Sequence, residues 1–240
     1  MQKVNLFVTC LCDTVKADVA KKTVQLLEQL NCEIIFPEKQ GCCGQPAINS
    51  GYIESSKPAM KTLIKAFEIN NYPIVTPAGS CAASIKNYPK YFASEPKWAA
   101  RAQQIANRLF ELTQFIVNEL GIDNVGARLA GRAVYHPSCS LIRKLGVREE
   151  PLCLLANVQG LEMLAIENQE TCCGFGGTFS IKMGEISSAM VKEKVQHISK
   201  VEPDFLICAD VSCLMNIGGR ISRENKPVKV MHIVDVLLSR

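Results

Sequence analysis

Gly41-Cys42-Cys43-Gly44 and Thr171-Cys172-Cys173-Gly174-Phe175-Gly176-Gly177-Thr178 decide the reading of this chain. Each adjacent pair of cysteines has two outlying companions. Cys10, Cys42, Cys43 and Cys81 are followed by Cys139, Cys172, Cys173 and Cys213, at lags of 129, 130, 130 and 132 residues. Scattered cysteines would not reproduce one spacing four times. The chain is therefore a duplication, and each copy carries four thiols.

Working outward from the pairs, both halves follow one order: strand, helix, strand, Cys-Cys-Gly loop, helix, strand, cysteine. Val4–Val8 is an apolar run ending near Cys10. Val15, Val19, Leu27 and Leu30 mark one helix face, Glu33–Phe36 a strand stopped by Pro37, and Met60, Leu63, Ile64 and Phe67 a second helix. Ile74–Thr76 is a strand with Cys81 just beyond it. In the second half Ala133–Tyr135 and Leu161–Ile166 predict strands, and Ile186, Val191, Val195 and Ile198 a helix. Phe205–Cys208 is a strand with Cys213 beyond it, and Val228–Met231 and Ile233–Leu238 add a last strand and helix. One long helix is expected between the halves, through Trp98, Ala102, Ile105, Leu109, Leu112, Ile116 and Leu120, capped by Ser94 and stopped at Gly121, with Thr113 a point of weakness. Gly121–Gly131 is the natural boundary, giving domains 1–122 and 123–240.

Alternating strands and helices imply an α/β fold: two tandem, pseudo-symmetric Rossmann-like domains, each with a parallel sheet. Sites in such sheets form outside the carboxyl ends of the strands, where each repeated cysteine falls. Four thiols converging there suit a soft metal, zinc or iron–sulfur. The chain has no Cys-x-x-Cys knuckle of the zinc-ribbon or ferredoxin kind. Adjacent cysteines strain the chelation of a single ion and fit a cluster better, where neighbours bind different irons. The glycines let backbone N–H groups approach anionic sulfur. Phe179 stands where a dinucleotide fingerprint needs its third glycine.

Composition excludes other classes. The 240 residues are 48% hydrophobic and 21% charged, with a net charge of +4 and no basic run longer than a pair, so no nucleic acid partner is expected. No stretch has the roughly 18 apolar residues of a membrane span. The N-terminus reads as a strand and not as a signal peptide, which predicts a cytoplasmic, thiol-reducing location. Twelve cysteines there point to metal or redox chemistry.

Phe36 to Ala47, Pro77-Ala78-Gly79-Ser80-Cys81, Tyr135-His136-Pro137-Ser138-Cys139 and Thr171 to Thr178 resemble the cysteine-rich CCG domain of heterodisulfide reductase and its relatives. These include the iron–sulfur subunits of glycolate oxidase and anaerobic glycerol-3-phosphate dehydrogenase. Within the group the chain is most similar to the lactate utilization protein A family, over essentially its whole length. That resemblance implies oxidation of L-lactate to pyruvate together with two partner proteins, one a ferredoxin-like iron–sulfur protein. The fuller family motif ends in Cys-x-x-Cys; here Ala78 and Asp210 replace its first cysteine. Four thiolates per half suit a cubane [4Fe–4S] cluster, one or two per chain, with Asp210 a candidate oxygen ligand and zinc the alternative metal.

Cys12, Cys32, Cys153 and Cys208 have no partner at the repeat lag and read as small buried hydrophobes, Cys12 with a weaker claim to ligation. His136, at the site rim, reads either as a ligand or proton carrier or, better, as a supporting residue beside the thiolates, His232 as a helix cap, His197 as solvated, and Phe175 and Phe179 as packing around the site. Three functions compete. The first is an electron-transfer protein. The second is a catalytic subunit whose Arg143, Lys144 and Lys182 hold a substrate carboxylate. The third is a zinc-stabilised scaffold.

Overall fold

The first strand, β1 (Gln2–Leu6), lies between β2 (Cys32–Ile35) and β3 (Ile74–Thr76), and β4 (Leu109–Glu111) completes the sheet. In this computed structural model, which describes residues 1–240, the order is β2-β1-β3-β4, all parallel. A second sheet repeats it: β5 (Arg128–Tyr135), β6 (Gln159–Met163), β7 (Phe205–Cys208) and β8 (Lys229–His232) in the order β6-β5-β7-β8. The expected pair of Rossmann-like parallel sheets is what forms.

The central strands carry the apolar residues that cover both faces. Val4, Val75, Ala133, Val134, Leu206 and Ile207 are fully buried, as parallel strands with helices on both sides require. Helices Ala17–Gln29 and Ile53–Phe67 flank the first sheet, and Gly184–Lys200 and Val211–Arg223 the second.

The expected bridging helix does not exist as one rod. Helix Pro96–Asn107 ends, β4 follows, and a new short helix starts at Leu112 and runs through a π-helical turn to Glu119. Leu109, Leu112 and Ile116 keep a helical spacing, but Leu109 is buried as an edge strand beside Ile74. The cap is Glu95, followed by Pro96, and not Ser94. Tertiary pairing overrode periodicity here. The new helix is itself capped by Glu111, whose carboxylate accepts from Thr113 N at 2.8 Å. In the second half β8 and helix Ile233–Leu237 repeat this turn, with His232 as the cap: its Nδ1 accepts from Val234 N at 3.2 Å.

These turns cross-link the halves. The helix after β4 packs on helix Glu149–Ala156, and the helix after β8 packs on helix Ala17–Gln29. Lys22 Nζ sits 2.5 Å from Asp235 Oδ1 across the second of these contacts. The largest core accordingly draws on both halves, from Leu6, Leu26 and Phe115 to Tyr135, Leu154 and Leu237. Two smaller cores lie under the cysteines. One holds Cys43 and Cys81 with Phe7 and Phe67, and the other Cys173, Cys208 and Cys213 with Val195 and Ile217. β5 begins at Arg128, so the end of the glycine-rich boundary segment is already strand.

Candidate metal centres

Cys10 opens the short helix after β1, and Cys81 lies in the first turn of helix Gly79–Lys86 after β3. These two strands are adjacent, and the sheet order turns between them, which is where a parallel sheet opens a crevice. The loop after β2 brings in Cys42 and Cys43. Cys10 Sγ is 3.8 Å from Cys42 Sγ, and Cys43 Sγ is 3.3 Å from Cys81 Sγ. The second half repeats this: Cys139 to Cys172 at 3.9 Å and Cys173 to Cys213 at 3.2 Å. The structure therefore gathers all eight singled-out cysteines into two sets. None of them is in a disulfide.

The local chain explains the spacing. Gly44 and Gly174 take positive φ, +77° and +83°, which turns their N–H groups back to the first cysteine of each pair at 3.4 Å. Cys42 and Cys172 are the readily ionised thiols of each set, lowered to about 2. The Cys10 or Cys139 thiol donating to each contributes most, then Cys43 or Cys173, and the glycine N–H adds to both. Their donors Cys10 and Cys139 are pushed up correspondingly. Thiolate-rich, partly dry sets of four suit a soft cation or cluster.

Asp210, the candidate oxygen ligand, is otherwise engaged. Its Oδ1 accepts from Ser212 N at 3.1 Å and Ser212 Oγ at 2.6 Å, and its Oδ2 accepts from Ser80 N at 2.7 Å. It caps the helix that carries Cys213 and, across the halves, ties down the helix that carries Cys81. Asp210 supports both sites and also lines the cavity beside the first cysteine set.

The remaining residues sort as follows. Cys12 is fully buried in the shared core, where burial pushes its thiol up to about 11. Cys32 is buried in the same core and Cys153 half-buried on helix Glu149–Ala156. His197 is half-buried rather than freely solvated, with Nδ1 2.9 Å from Glu167 O. His136 stands beside the thiolates as read, and Cys208 joins it there, beyond its reading as packing alone. A ring nitrogen of His136, Cys208 Sγ and Cys213 Sγ lie within 4.8 Å of one another, all buried. Burial, with the Lys194 charge next, lowers His136 to about 3, so it is neutral. Lys194 is itself buried, donating to Asn168 O and Gln169 O at 2.8 and 3.0 Å.

The two Cys-Cys-Gly loops also meet each other. Thr178 bonds to Ser50 and to Pro46 O, and Gly177 lies flat on Pro46. Between the first cysteine set and the second loop is a cavity of about 150 Å³, lined by Cys10, Cys43, Cys81, Phe175, Thr178 and Ile181 among others. Phe175 thus packs at the site as expected, while Phe179 does not line this cavity. Neither do Arg143, Lys144 or Lys182: Arg143 donates to Glu170 O, and Lys182 lies over the Tyr52 ring.

A family model of the CCG cysteine-rich domain matches the chain twice, over residues 4–86 and 133–218. The chain belongs to the CCG cysteine-rich domain family. Whole-length similarity extends this to particular members. Lactate utilization protein A of Geobacillus sp. (strain WCH70) is 56% identical over 238 residues, 99% of this chain and 100% of that protein. The Geobacillus thermodenitrificans protein of the same name is 57% identical, covering 99% of both chains. The uncharacterized protein YkgE of Escherichia coli K12 is 63% identical over 237 residues, again 99% of both. The CCG fold is also similar to the crystal structure of a hypothetical protein from Helicobacter pylori, with a TM-score of 0.64 and 11% identity. That match covers 99% of this chain but 48% of the other, so it speaks for the fold alone. No helix of this CCG protein is long and apolar enough to cross a membrane.

Proposed function

We propose that this chain is an iron–sulfur electron-transfer protein that takes part in oxidising L-lactate to pyruvate. It works in the cytoplasm with two partner proteins, one a ferredoxin-like iron–sulfur protein. The observation that carries the reading is the gathering of four thiols at the crevice of each sheet, done twice in one chain whose relatives are named for lactate utilization.

Cys10, Cys42, Cys43 and Cys81 would hold one [4Fe–4S] cluster, and Cys139, Cys172, Cys173 and Cys213 the other, in CCG units 1–122 and 123–240. Bound clusters supply one-electron transfer. The chain's own groups do the rest. Gly44 and Gly174 donate N–H groups to sulfur, which favours the thiolate state and stabilises added negative charge. Cys43, Cys81, Cys173 and Cys213 sit in the small apolar cores, which keep water off one side of each site. The cavity beside Cys10 has no lysine or arginine in its lining to hold a carboxylate, which favours a carrier over a substrate-binding role.

The test is growth on L-lactate of a strain lacking this chain. Wild type restores growth and Cys42→Ser or Cys172→Ser does not, although both variants accumulate. Growth restored in full by the cysteine variants would overturn the reading.

A further inference from the structure

The halves match cysteine for cysteine, yet the layer directly beneath the cysteines differs. Phe7 and Thr76 follow or end β1 and β3 in the first half. At the repeat lags of 129 and 132 residues, the second half has His136 and Cys208. Both new residues can bind a metal, whereas Phe7 cannot.

His136 is 1% exposed, and neither of its ring nitrogens has a partner. A buried polar group left unpaired costs about 1–3 kcal/mol, so an orphaned imidazole calls for an explanation. Its surroundings supply one. A ring nitrogen lies within 4.8 Å of both Cys208 Sγ and Cys213 Sγ, and Cys213 Sγ is 3.2 Å from Cys173 Sγ. One nitrogen and two sulfurs thus crowd one point in a dry interior, with Cys173 Sγ beside the second of them. Mixed imidazole and thiolate donors in such an arrangement bind zinc and iron. The buried ammonium of Lys194, on the adjacent helix, offsets the negative charge that several thiolates bring.

We propose that His136 and Cys208 are ligands of the metal centre in the second half, in place of two of the four cysteines of the repeat, so that the centre keeps four protein donors. The two centres of the chain then differ in coordination: all-sulfur in the first half, sulfur and nitrogen in the second. The inference rests on the metal-centre reading above but goes beyond it in assigning donors that the duplicated motif does not contain.

The test uses the full chain, reconstituted anaerobically with iron and sulfide and, separately, with Zn²⁺ alone. X-ray absorption at the metal edge and pulsed EPR of the reduced protein read nitrogen coordination. Chelator titration reads how firmly the metal is held. The variants are Cys208→Ser and the double change His136→Phe with Cys208→Thr, which installs the residues the first half carries at the same places. Thr76→Ala in the first half is the control.

The wild type is expected to show one histidine nitrogen on a metal, absent in the double variant. The chelator concentration that strips the second centre should fall tenfold or more in both variants, since even loss of an outer partner costs about 10–100-fold in affinity. All-sulfur coordination in the metal-loaded wild type, with stripping unchanged in Cys208→Ser, would overturn the inference and leave the proposed function standing. A wild type that takes up neither iron nor zinc would overturn both. If the double variant does not fold, the wild-type nitrogen signal and Cys208→Ser still decide.

Discussion

Asp210 Oδ2 accepts a 2.7 Å hydrogen bond from the backbone N–H of Ser80, 130 residues away in the other half. The same carboxylate caps its own helix through Ser212. One buried side chain thus fixes the first turns of both helices that deliver Cys81 and Cys213.

Asp210→Ala should cost about 2–4 kcal/mol, combining a lost cap with a buried Ser80 N–H left unpaired. Urea unfolding of the apo protein measures it. A loss below about 0.5 kcal/mol, the level of an ordinary surface change, would contradict the tie.

Gly177 stands where the two Cys-Cys-Gly loops touch. A Cβ there would lie 3.1 Å from Pro46 Cα, on a backbone with φ +69°. Gly51→Ala has a similar positive φ, +86°, and open space around it. Gly177→Ala should therefore be the more destabilising by about 1–3 kcal/mol, the usual cost of overpacking. Equal melting temperatures for the two variants would show that the loops do not press together.

Cys10 and Cys12 are separated by one residue and by function. Cys10→Ser should lose the metal of the first half. Cys12→Ala should keep it and lose only about 1 kcal/mol of packing in the shared core. Metal analysis of the two proteins side by side checks this, and the opposite pattern would move the ligand to Cys12.

Glu111 predicts a pH dependence. It is fully buried, and burial raises its carboxyl from 4.5 to about 7 against the lowering effect of the Thr113 hydrogen bonds. The folded state therefore favours the protonated acid. Its stability contribution is complete below about pH 4.5 and is lost as pH rises through about 7. Glu111→Gln, which keeps the oxygen acceptor for Thr113, should match the parent near pH 4.5. Near pH 8 it should be more stable by about 2–3 kcal/mol. A difference that does not change with pH would argue that Glu111 stays ionised in the folded protein.

Much of the architecture was legible because the duplication wrote it twice. Ile74–Thr76 and Phe205–Cys208 are strands as read, and the eight repeated cysteines converge as their positions after strands implied. The helix over Trp98 to Leu120 was misread because β4 is only three residues long. Leu109 and Leu112 satisfy a helical period and an edge strand equally well. Periodicity also tells which face is buried but not what covers it, so the core shared between Leu6, Phe115 and Tyr135 was invisible. The meeting of Cys208 with His136 was hidden for a similar reason. They are 72 residues apart and meet only because β5 and β7 are neighbours in the sheet. The one available clue was that Phe7 and Thr76 stand at their repeat positions.

The central claim is that both thiol sets hold iron–sulfur clusters. Iron and acid-labile sulfide measured on anaerobically purified protein, with EPR before and after reduction, tests it most directly. The account predicts about eight irons and eight sulfides per chain, four of each per cluster, and a signal that appears on reduction and disappears on reoxidation. Zinc without iron, persisting after anaerobic reconstitution with iron and sulfide, would contradict it.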